Sequence, residues 1–254
     1  MYVANDTVPN FLYRNAGDGR LEDISDASGT AVNDRGLPDG TMGVDVGDFN
    51  MDSLPDLWVS NYERESFARY RNVGSSIFRH VSQSVGITSV GSGFVGWGTV
   101  FLDLDCDGDE DVFVFNGHVV HFPETAPVNQ VPIVFENLAG KQMSNVADSG
   151  GGWTASAHPG RGCAAGDLDL DGDLDLAVSL VNEPVALLSN ETQTDNHWLQ
   201  LRLIGTVSCR DAFGARVIVE TNSGRRIRQV KGGTSYASTS DACLHFGLGD
   251  TEHS

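Results

Sequence analysis

The sequence has few of the features that build disulfide scaffolds, zinc sites and membrane spans. Only 4 cysteines occur among 254 residues, and no two of them form the Cys-x-x-Cys pair typical of zinc sites. No apolar run approaches the roughly 18 residues that a membrane helix needs, and no long amphipathic helix is visible. By contrast, 30 glycines and a 40% hydrophobic content favour an all-β fold that has many turns and a sizeable core.

Positive charge is also scarce. Lys and Arg total 16 against 35 Asp and Glu, so the formal net charge is -19 at pH 7. Polyanions such as nucleic acid, and anionic membrane surfaces, are poor partners for this balance, and we therefore expect neither nucleic-acid binding nor membrane insertion. Much of the acidic charge falls in three short loops rather than in a disordered tail.

Each of these loops has nine residues: loop 1 is 48–56, loop 2 is 103–111 and loop 3 is 167–175. Loops 2 and 3 carry aspartate at positions 1, 3, 5 and 9 and glycine at position 6, whereas loop 1 has Asn50 at position 3 and Ser53 at position 6. Carboxylates that converge in a curled loop repel one another unless a hard cation binds them, and calcium takes six to eight oxygen ligands.

The sequence therefore predicts about three Ca²⁺ sites, with position 7 offering its backbone carbonyl. The alternative is a plain acidic turn without metal, and this alternative is strongest for loop 1. The predicted ligands are Asp48, Asn50, Asp52, Leu54 and Asp56; Asp103, Asp105, Asp107, Asp109 and Asp111; and Asp167, Asp169, Asp171, Asp173 and Asp175.

An EF-hand begins in the same way but needs a glutamate at position 12 and flanking helices. Position 12 here is Val59, Val114 and Val178. The segments after the loops are short, apolar and rich in β-branched or aromatic residues, which predicts buried strands. Each loop is thus expected to join two strands, and the EF-hand is excluded.

A second marker, an asparagine in a turn-like stretch, follows each loop. It occurs at Asn15, Asn72, Asn137 and Asn190, and the first three are followed by another strand-like run. The distance from loop start to asparagine is 24 residues for Asn72, 23 for Asn190 and 34 for Asn137, so we place an insertion of about ten residues at 118–132. Counting back from Asn15 leads to a position before Met1, and we expect a further loop to have preceded it.

Units of four strands repeated radially build a β-propeller. We expect residues 1–192 to form about three blades and a partial one, an open arc with exposed strand edges. Three motifs, Gly96-Trp97-Gly98-Thr99, Asn116-Gly117-His118-Val119 and Gly160-Arg161-Gly162, resemble FG-GAP/VCBS propeller repeats of integrin α-chains and bacterial secreted proteins. The pattern is most similar to the group in which such repeats precede an ASPIC/UnbV domain, as in the cartilage acidic protein family.

Residues 196–254 resemble that ASPIC/UnbV domain, a small β module that we expect to be truncated here. Strand patterns flank a hairpin turn at Asn222-Ser223-Gly224. The nearby cluster Arg225, Arg226, Arg228 and Lys231 is either a solvated strand face or a site for an acidic partner. Family members more often have other residues at positions 209 and 243, so the joint presence of Cys209 and Cys243 suggests a disulfide.

No catalytic residue and no organic cofactor site is predicted. The sequence has no Gly-x-Ser-x-Gly elbow and no phosphate-binding glycine loop with lysine, and the spacing of His118 and His121 is weak evidence for a metal. The resemblance implies a non-enzymatic binding or adhesion module whose protein or glycan ligand meets one propeller face. The alternatives are an enzyme with a site at the propeller mouth, or a structural spacer in a longer chain. Calcium loops of this kind suit the millimolar calcium of an extracellular, periplasmic or cell-surface setting.

Overall fold

A computed structural model describes residues 1–222 and 224–250. Strands dominate the described chain and form six separate sheets, as expected for an all-β protein. Helical segments are single turns, such as α1 (Ser25–Ser28) and α2 (Gly151–Thr154). Among the described residues, no helix is long and apolar enough to cross a membrane.

Two antiparallel sheets have four strands each, in sequential order. In both, an acidic loop joins the first two strands, and the second strand begins at position 9 of that loop. The strands are β4 (Thr41–Gly47), β5 (Asp56–Asn61), β6 (Ala68–Asn72) and β7 (Phe78–His80), followed by β8 (Gly96–Leu102), β9 (Asp111–Asn116), β10 (Ile133–Leu138) and β11 (Gln142–Asn145).

Two further sheets have three strands each. The sheet at the start of the chain has no acidic loop, whereas loop 3 joins the first two strands of the other. The strands are β1 (Tyr2–Val3), β2 (Phe11–Asn15) and β3 (Leu21–Asp23), and later β12 (Gly160–Gly166), β13 (Asp175–Leu180) and β14 (Ala186–Leu188). The unit of loop 3 therefore lacks the fourth strand that the repeat pattern has elsewhere.

The first strands of three sheets lie side by side, with β8 packed between β4 and β12. The hydrophobic core lies between neighbouring sheets. Trp58 and Phe135 belong to a cluster between the sheet of β4–β7 and the sheet of β8–β11. Val100 and Leu176 belong to a cluster between the sheet of β8–β11 and the sheet of β12–β14. Four sheets that pack face to face in this order form part of a propeller, and within the described residues they do not close into a ring.

Close approach of the first strands requires glycine. A Cβ at Gly43 would lie 1.9 Å from the carbonyl oxygen of Trp97, and one at Gly98 would lie 2.4 Å from that of Arg161. Any larger residue would push the strands apart, since real Cβ atoms essentially never approach backbone within 3.0 Å. The small residues before the loops thus serve the tight packing that the sequence predicted.

The C-terminal segment, defined here as residues 196–250, forms two strand pairs around its own small core. Phe246 and Val230 lie at the centre of this core. Ser223, in the predicted hairpin turn, lies outside the described residues. The strands are β15 (His197–Leu201), β16 (Arg216–Thr221), β17 (Gly224–Gln229) and β18 (Leu244–Gly249), with β15 paired to β18 and β16 to β17.

Two further expectations can be compared with the described chain. The predicted insertion is present, because residues 117–132 connect β9 to β10 whereas residues 62–67 make the corresponding connection from β5 to β6. The suggested disulfide is absent, because Cys209 and Cys243 are both free thiols in the part of the chain that the structure describes. Cys163 is a buried thiol whose sulfur lies 3.4 Å from Oγ of Ser235, as expected for a packed side chain.

Candidate metal centre

The three acidic loops share one backbone path. Positions 4 and 6 have positive φ in each: Met51 and Ser53 in loop 1, Cys106 and Gly108 in loop 2, and Leu170 and Gly172 in loop 3. This region is open to glycine and strained for most other residues. The path turns the chain sharply twice, and it brings positions 1, 3 and 9 towards one point.

Carboxylate oxygens converge in loops 2 and 3. Each of Asp103, Asp105 and Asp111 offers one oxygen within 4.8 Å of the others, and Asp167, Asp169 and Asp175 do the same. Asp103 is 2% exposed, yet its Oδ1 has no hydrogen-bond partner among the described residues, and the same holds for Oδ1 of Asp167. A buried carboxylate oxygen without a donor is costly, so these two atoms indicate where a cation would bind.

Burial also changes the titration of these groups. It raises the pKa of Asp103 to about 7, with Asp107 and Asp105 adding to the rise. Burial raises the pKa of Asp109 to about 8, and Asp107 is the next cause. The ionised forms are therefore disfavoured unless positive charge is supplied nearby, and a divalent cation within the loop would supply it.

The side chains at positions 5 and 7 of loops 2 and 3 lie outside the carboxylate clusters. Asp107 and Asp171 do not join the carboxylate clusters, although the structure places both in the same loops. The side chain of Asp109 accepts a 2.8 Å hydrogen bond from the backbone N–H of Ala139. Because that side chain is bound by the residue that follows β10, a backbone carbonyl at position 7 remains the group that we predict for the cation.

Loop 1 is built in another way. The carboxylate of Asp56, at position 9, is paired with the buried guanidinium of Arg69 at 2.7 Å and accepts the N–H of Asn72 at 2.7 Å. Both oxygens of Asp48 accept backbone N–H groups, from Asp52 and Ser53. Arg69 thus supplies positive charge to the carboxylate that in loops 2 and 3 faces the cluster.

The repeated asparagines do more than form turns. The backbone N–H of Asn72, Asn137 and Asn190 donates to Oδ1 of the position-9 aspartate in its own unit, at 2.7, 2.7 and 2.9 Å. The side-chain amide of Asn137 donates to the carbonyl of Phe49 in loop 1, and that of Asn190 donates to the carbonyl of Leu104 in loop 2. Asn137 and Asn190 therefore link their own sheets to the preceding loop, whereas the side-chain amide of Asn72 donates to the carbonyl of Pro55 in its own loop.

Basic residues of the C-terminal segment contact the acidic loops. Arg228 forms an ion pair with Glu110 at 3.3 Å, and Arg226 donates to the backbone carbonyl of Asp107 at 3.1 Å. Lys231 forms an ion pair with Asp45 at 2.7 Å. The interpretation of this cluster as a solvated face is therefore wrong for these three residues, because the acidic partner lies in the same chain.

Residues 234–241 run along the first strands of the sheets. Ser235 bridges β4 and β8, because it pairs with Val44 and its Oγ accepts the N–H of Thr99 at 3.1 Å. Further along, the N–H of Ala165 in β12 donates to Oγ of Ser240 at 3.1 Å. The C-terminal segment thus fills the space where the first strands converge.

The far ends of the sheets carry the other predicted motifs. The residue pair Leu102 and Asp111 adjoins loop 2, whereas Gly96 and Asn116 pair at the opposite end, so the connection 117–132 lies far from the acidic loops. There, Nε1 of Trp97 and Nη1 of Arg161 both donate to the carbonyl of Gly117, at 2.7 and 3.0 Å. The three motifs behind the family resemblance therefore meet in one cluster.

Two family profiles match the chain. That of the FG-GAP-like repeat matches residues 48–114, which include loops 1 and 2, and that of ASPIC and UnbV matches residues 205–254. The chain therefore carries an FG-GAP-like repeat region followed by an ASPIC/UnbV region, which confirms the resemblance seen in the sequence.

Relatives with this combination include cartilage acidic protein 1. The protein of Xenopus tropicalis is 28% identical over 263 residues, and the alignment covers 100% of this chain and 38% of the relative. The protein of Homo sapiens is 26% identical over 268 residues and is covered to 37%. The chain thus spans less than two fifths of the length of these relatives.

A solved structure with some likeness is that of an Agrocybe aegerita lectin described for its recognition of non-reducing terminal N-acetylglucosamine. The TM-score is 0.37 at 19% sequence identity, and the match covers 74% of this chain and 48% of the lectin chain.

Proposed function

We propose that this chain is a calcium-stabilised, non-enzymatic binding module that works outside the cell or at its surface. The observation that carries the proposal is the pair of carboxylate clusters in loops 2 and 3, each of which has a buried Oδ1 atom without a hydrogen-bond partner among the described residues. FG-GAP-like repeats in the matched region support the same interpretation.

The donor set fits calcium. All candidate side-chain ligands are oxygens, and clusters of carboxylates with a backbone carbonyl suit hard cations rather than zinc or copper. Asp103, Asp105 and Asp111 would hold one ion, and Asp167, Asp169 and Asp175 another. Their role is structural, because the loops join the first two strands of each sheet and a bound cation would relieve the carboxylate repulsion there.

Loop 1 is proposed as a third and weaker site. Asp48, Asn50, Asp52, the carbonyl of Leu54 and Asp56 have the same loop positions as the ligands of loops 2 and 3. Arg69, however, already pairs with Asp56. A cation there must compete with an internal positive charge, which lowers its affinity.

The ligand is proposed to bind at the far ends of the sheets. Arg226, Arg228 and residues 234–241 occupy the loop side and the inner strands, whereas Val119, Val120 and Phe122 in the insertion are exposed, Phe122 by 83%. Exposed apolar side chains that cluster on one connection are typical of recognition surfaces. A protein or a glycan is the proposed class of ligand.

Thermal unfolding with and without calcium tests the metal proposal. A ligand at a hundredfold excess over its Kd stabilises by about 2.7 kcal/mol per site. Two sites should therefore raise the melting temperature by roughly 10–20 °C in a chain of this size. Magnesium, which demands stricter octahedral geometry and releases its water reluctantly, should have a small effect.

Calorimetric titration then counts the sites. Wild type should show two tight sites, and Asp103→Asn should lose one of them, while Asp148→Asn, an exposed carboxylate outside the loops, should keep both. An unchanged melting temperature in millimolar calcium, or an Asp103→Asn variant with both sites intact, would refute the metal assignment.

A further inference from the structure

One strand of the C-terminal segment, β18, contacts both loop 2 and loop 3. The backbone N–H of Gly247 donates to Oδ2 of Asp103 at 3.1 Å, and that of Gly249 donates to the carbonyl of Cys106 at 2.9 Å. Nε2 of His245, in the same strand, donates to the carbonyl of Gly172 in loop 3 at 2.8 Å. One edge of β18 pairs with β15, and its N–H groups at Gly247 and Gly249 bond to loop 2.

The fit between strand and loops leaves no space for extra atoms. A Cβ at Gly247 would lie 2.1 Å from Oδ2 of Asp103 and 2.5 Å from the backbone of Cys106. A Cβ at Gly172 would lie 2.0 Å from the ring of Trp198. The glycines at position 6 thus permit both the sharp turn and the approach of the C-terminal segment.

The contact reaches a carboxylate of the loop 2 cluster. Asp103 receives N–H groups from Gly247 and Gly108 on Oδ2 alone, which orients its other oxygen, Oδ1, for the cluster with Asp105 and Asp111. Groups that orient metal ligands in this way commonly change metal affinity by 10- to 100-fold when they are lost. Gly247 is therefore a positioning residue for loop 2, and His245 holds the backbone of loop 3 at the carbonyl of Gly172.

We propose that cation binding by loops 2 and 3 and docking of β18 are coupled, so that the C-terminal segment docks more tightly when the loops hold a cation. The inference rests on the proposed calcium sites and adds to them a reciprocal effect: docking tightens calcium binding, and calcium tightens docking by the same factor. When calcium is removed, repulsion among the carboxylates disturbs the geometry that receives Gly247, and the strand is released.

Hydrogen exchange on the wild-type chain tests the coupling directly. The backbone amides of Gly247 and Gly249, followed by NMR, should exchange at least tenfold faster in chelator than in millimolar calcium. Amides of β2, the central strand of the sheet that has no acidic loop, serve as the internal reference and should change much less. Equal exchange of Gly247 and Gly249 in both conditions would overturn the inference, and so would an equal loss of protection in β2.

Calcium titration of matched variants tests the opposite direction. Gly247→Ala should weaken one of the two tight sites by roughly 10- to 100-fold. Gly233→Ala is the control, because it lies in the same segment, has no positive φ and has nothing within 4 Å of an added Cβ. His245→Ala should weaken the other site by a similar factor, and it serves as a second variant should Gly247→Ala fold poorly.

The two proposals fail in different ways. If wild type binds no calcium, the proposed function is wrong and the coupling falls with it. If wild type and both variants bind calcium at two sites with equal affinity, the calcium sites stand and the coupling is wrong. Weakening of one site by Gly247→Ala, with Gly233→Ala unchanged, supports both.

Discussion

At the scale of single residues, the units of the three loops differ at the side chain opposite the third residue of the strand that follows the loop. Arg69 pairs across from Trp58 in the unit of loop 1, and Val134 and Leu187 occupy the same register positions in the units of loops 2 and 3. In the unit of loop 1, the guanidinium of Arg69 thus supplies from within the protein part of the positive charge that a bound cation would supply in loops 2 and 3. Desolvation lowers the pKa of the Arg69 guanidinium to about 10, so it remains charged at neutral pH.

Arg69→Val, which copies the residue at position 134, is predicted to destabilise the calcium-free chain by about 3–5 kcal/mol, because Asp56 is left buried without its partner. Calcium should then restore more stability to this variant than it adds to wild type, since a cation in loop 1 no longer competes with the guanidinium. Urea unfolding with and without calcium measures both values.

Arg71→Val is the control for this experiment. Arg71 lies in the same strand, but its side chain is 49% exposed, and the distance from its Nη2 to Oδ2 of Asp52 is 3.4 Å. Because an exposed ion pair contributes little to stability, the loss of Arg71 should cost less than about 1 kcal/mol. An Arg69→Val variant that calcium stabilises no more than wild type would show that loop 1 does not take a cation.

At the scale of elements, two of the recurring asparagines, Asn137 and Asn190, hold neighbouring sheets together. From the sequence these residues indicated turns, and the turns are present: the N–H of Gly74 donates to Oδ1 of Asn72, and that of Gly140 to Oδ1 of Asn137. The link from the side-chain amide to the preceding loop was not visible, because it joins atoms 88 residues apart for Asn137 and Phe49. Periodicity predicts that a residue recurs, and only the packing of sheets shows which atoms it reaches.

Asn137→Ala is predicted to cost about 1–3 kcal/mol, because the buried carbonyls of Phe49 and Glu110 both lose the amide that donates to them. Asn15→Ala is the matched control. Asn15 occupies the same repeat position in the first sheet, is exposed, and its side chain accepts one local hydrogen bond from the N–H of Gly17. Equal losses of stability in the two variants, measured by chemical denaturation, would contradict a linking role.

At the scale of the whole molecule, the two ends of the sheets have different surroundings. The loop end contacts the C-terminal segment through its basic residues and β18, and the far end carries the long insertion. Charge explains part of this division. The chain has a net charge of -19 with many carboxylates in the loops, and Arg226 and Arg228 of β17 contact loop 2. The far end is left to the exposed apolar residues of the insertion.

A triple variant, Val119→Ser, Val120→Ser and Phe122→Ser, is predicted to lose most binding to any glycan or protein that wild type retains on an array. Calcium stabilisation should be unchanged, because the substitutions lie at the opposite end of β9 from loop 2. The control is Leu21→Ser and Leu37→Ser, two exposed residues in the first sheet region. Ligand binding that survives in the triple variant would place the ligand elsewhere.

The sequence by itself determined the features that depend on local periodicity. Alternating aspartates predicted the loops, valine at position 12 excluded the EF-hand, and the strands after each loop begin at Asp56, Asp111 and Asp175 as the pattern indicated. The insertion followed from unequal spacing of the asparagines. These features need only neighbouring residues, because backbone turns and strand patterns are set over a few positions of the chain.

Contacts between distant residues were decided only by the tertiary structure. The approach of Gly247 to Asp103 and the contacts of Arg226 and Arg228 with loop 2 join groups from separate sheets, and the pairing of Arg69 with Asp56 joins neighbouring strands of one sheet. Cys209 and Cys243, whose pairing the family resemblance suggested, remain free thiols in the described chain. Sequence spacing cannot supply such distances, since they follow from how whole sheets and the C-terminal segment pack in space.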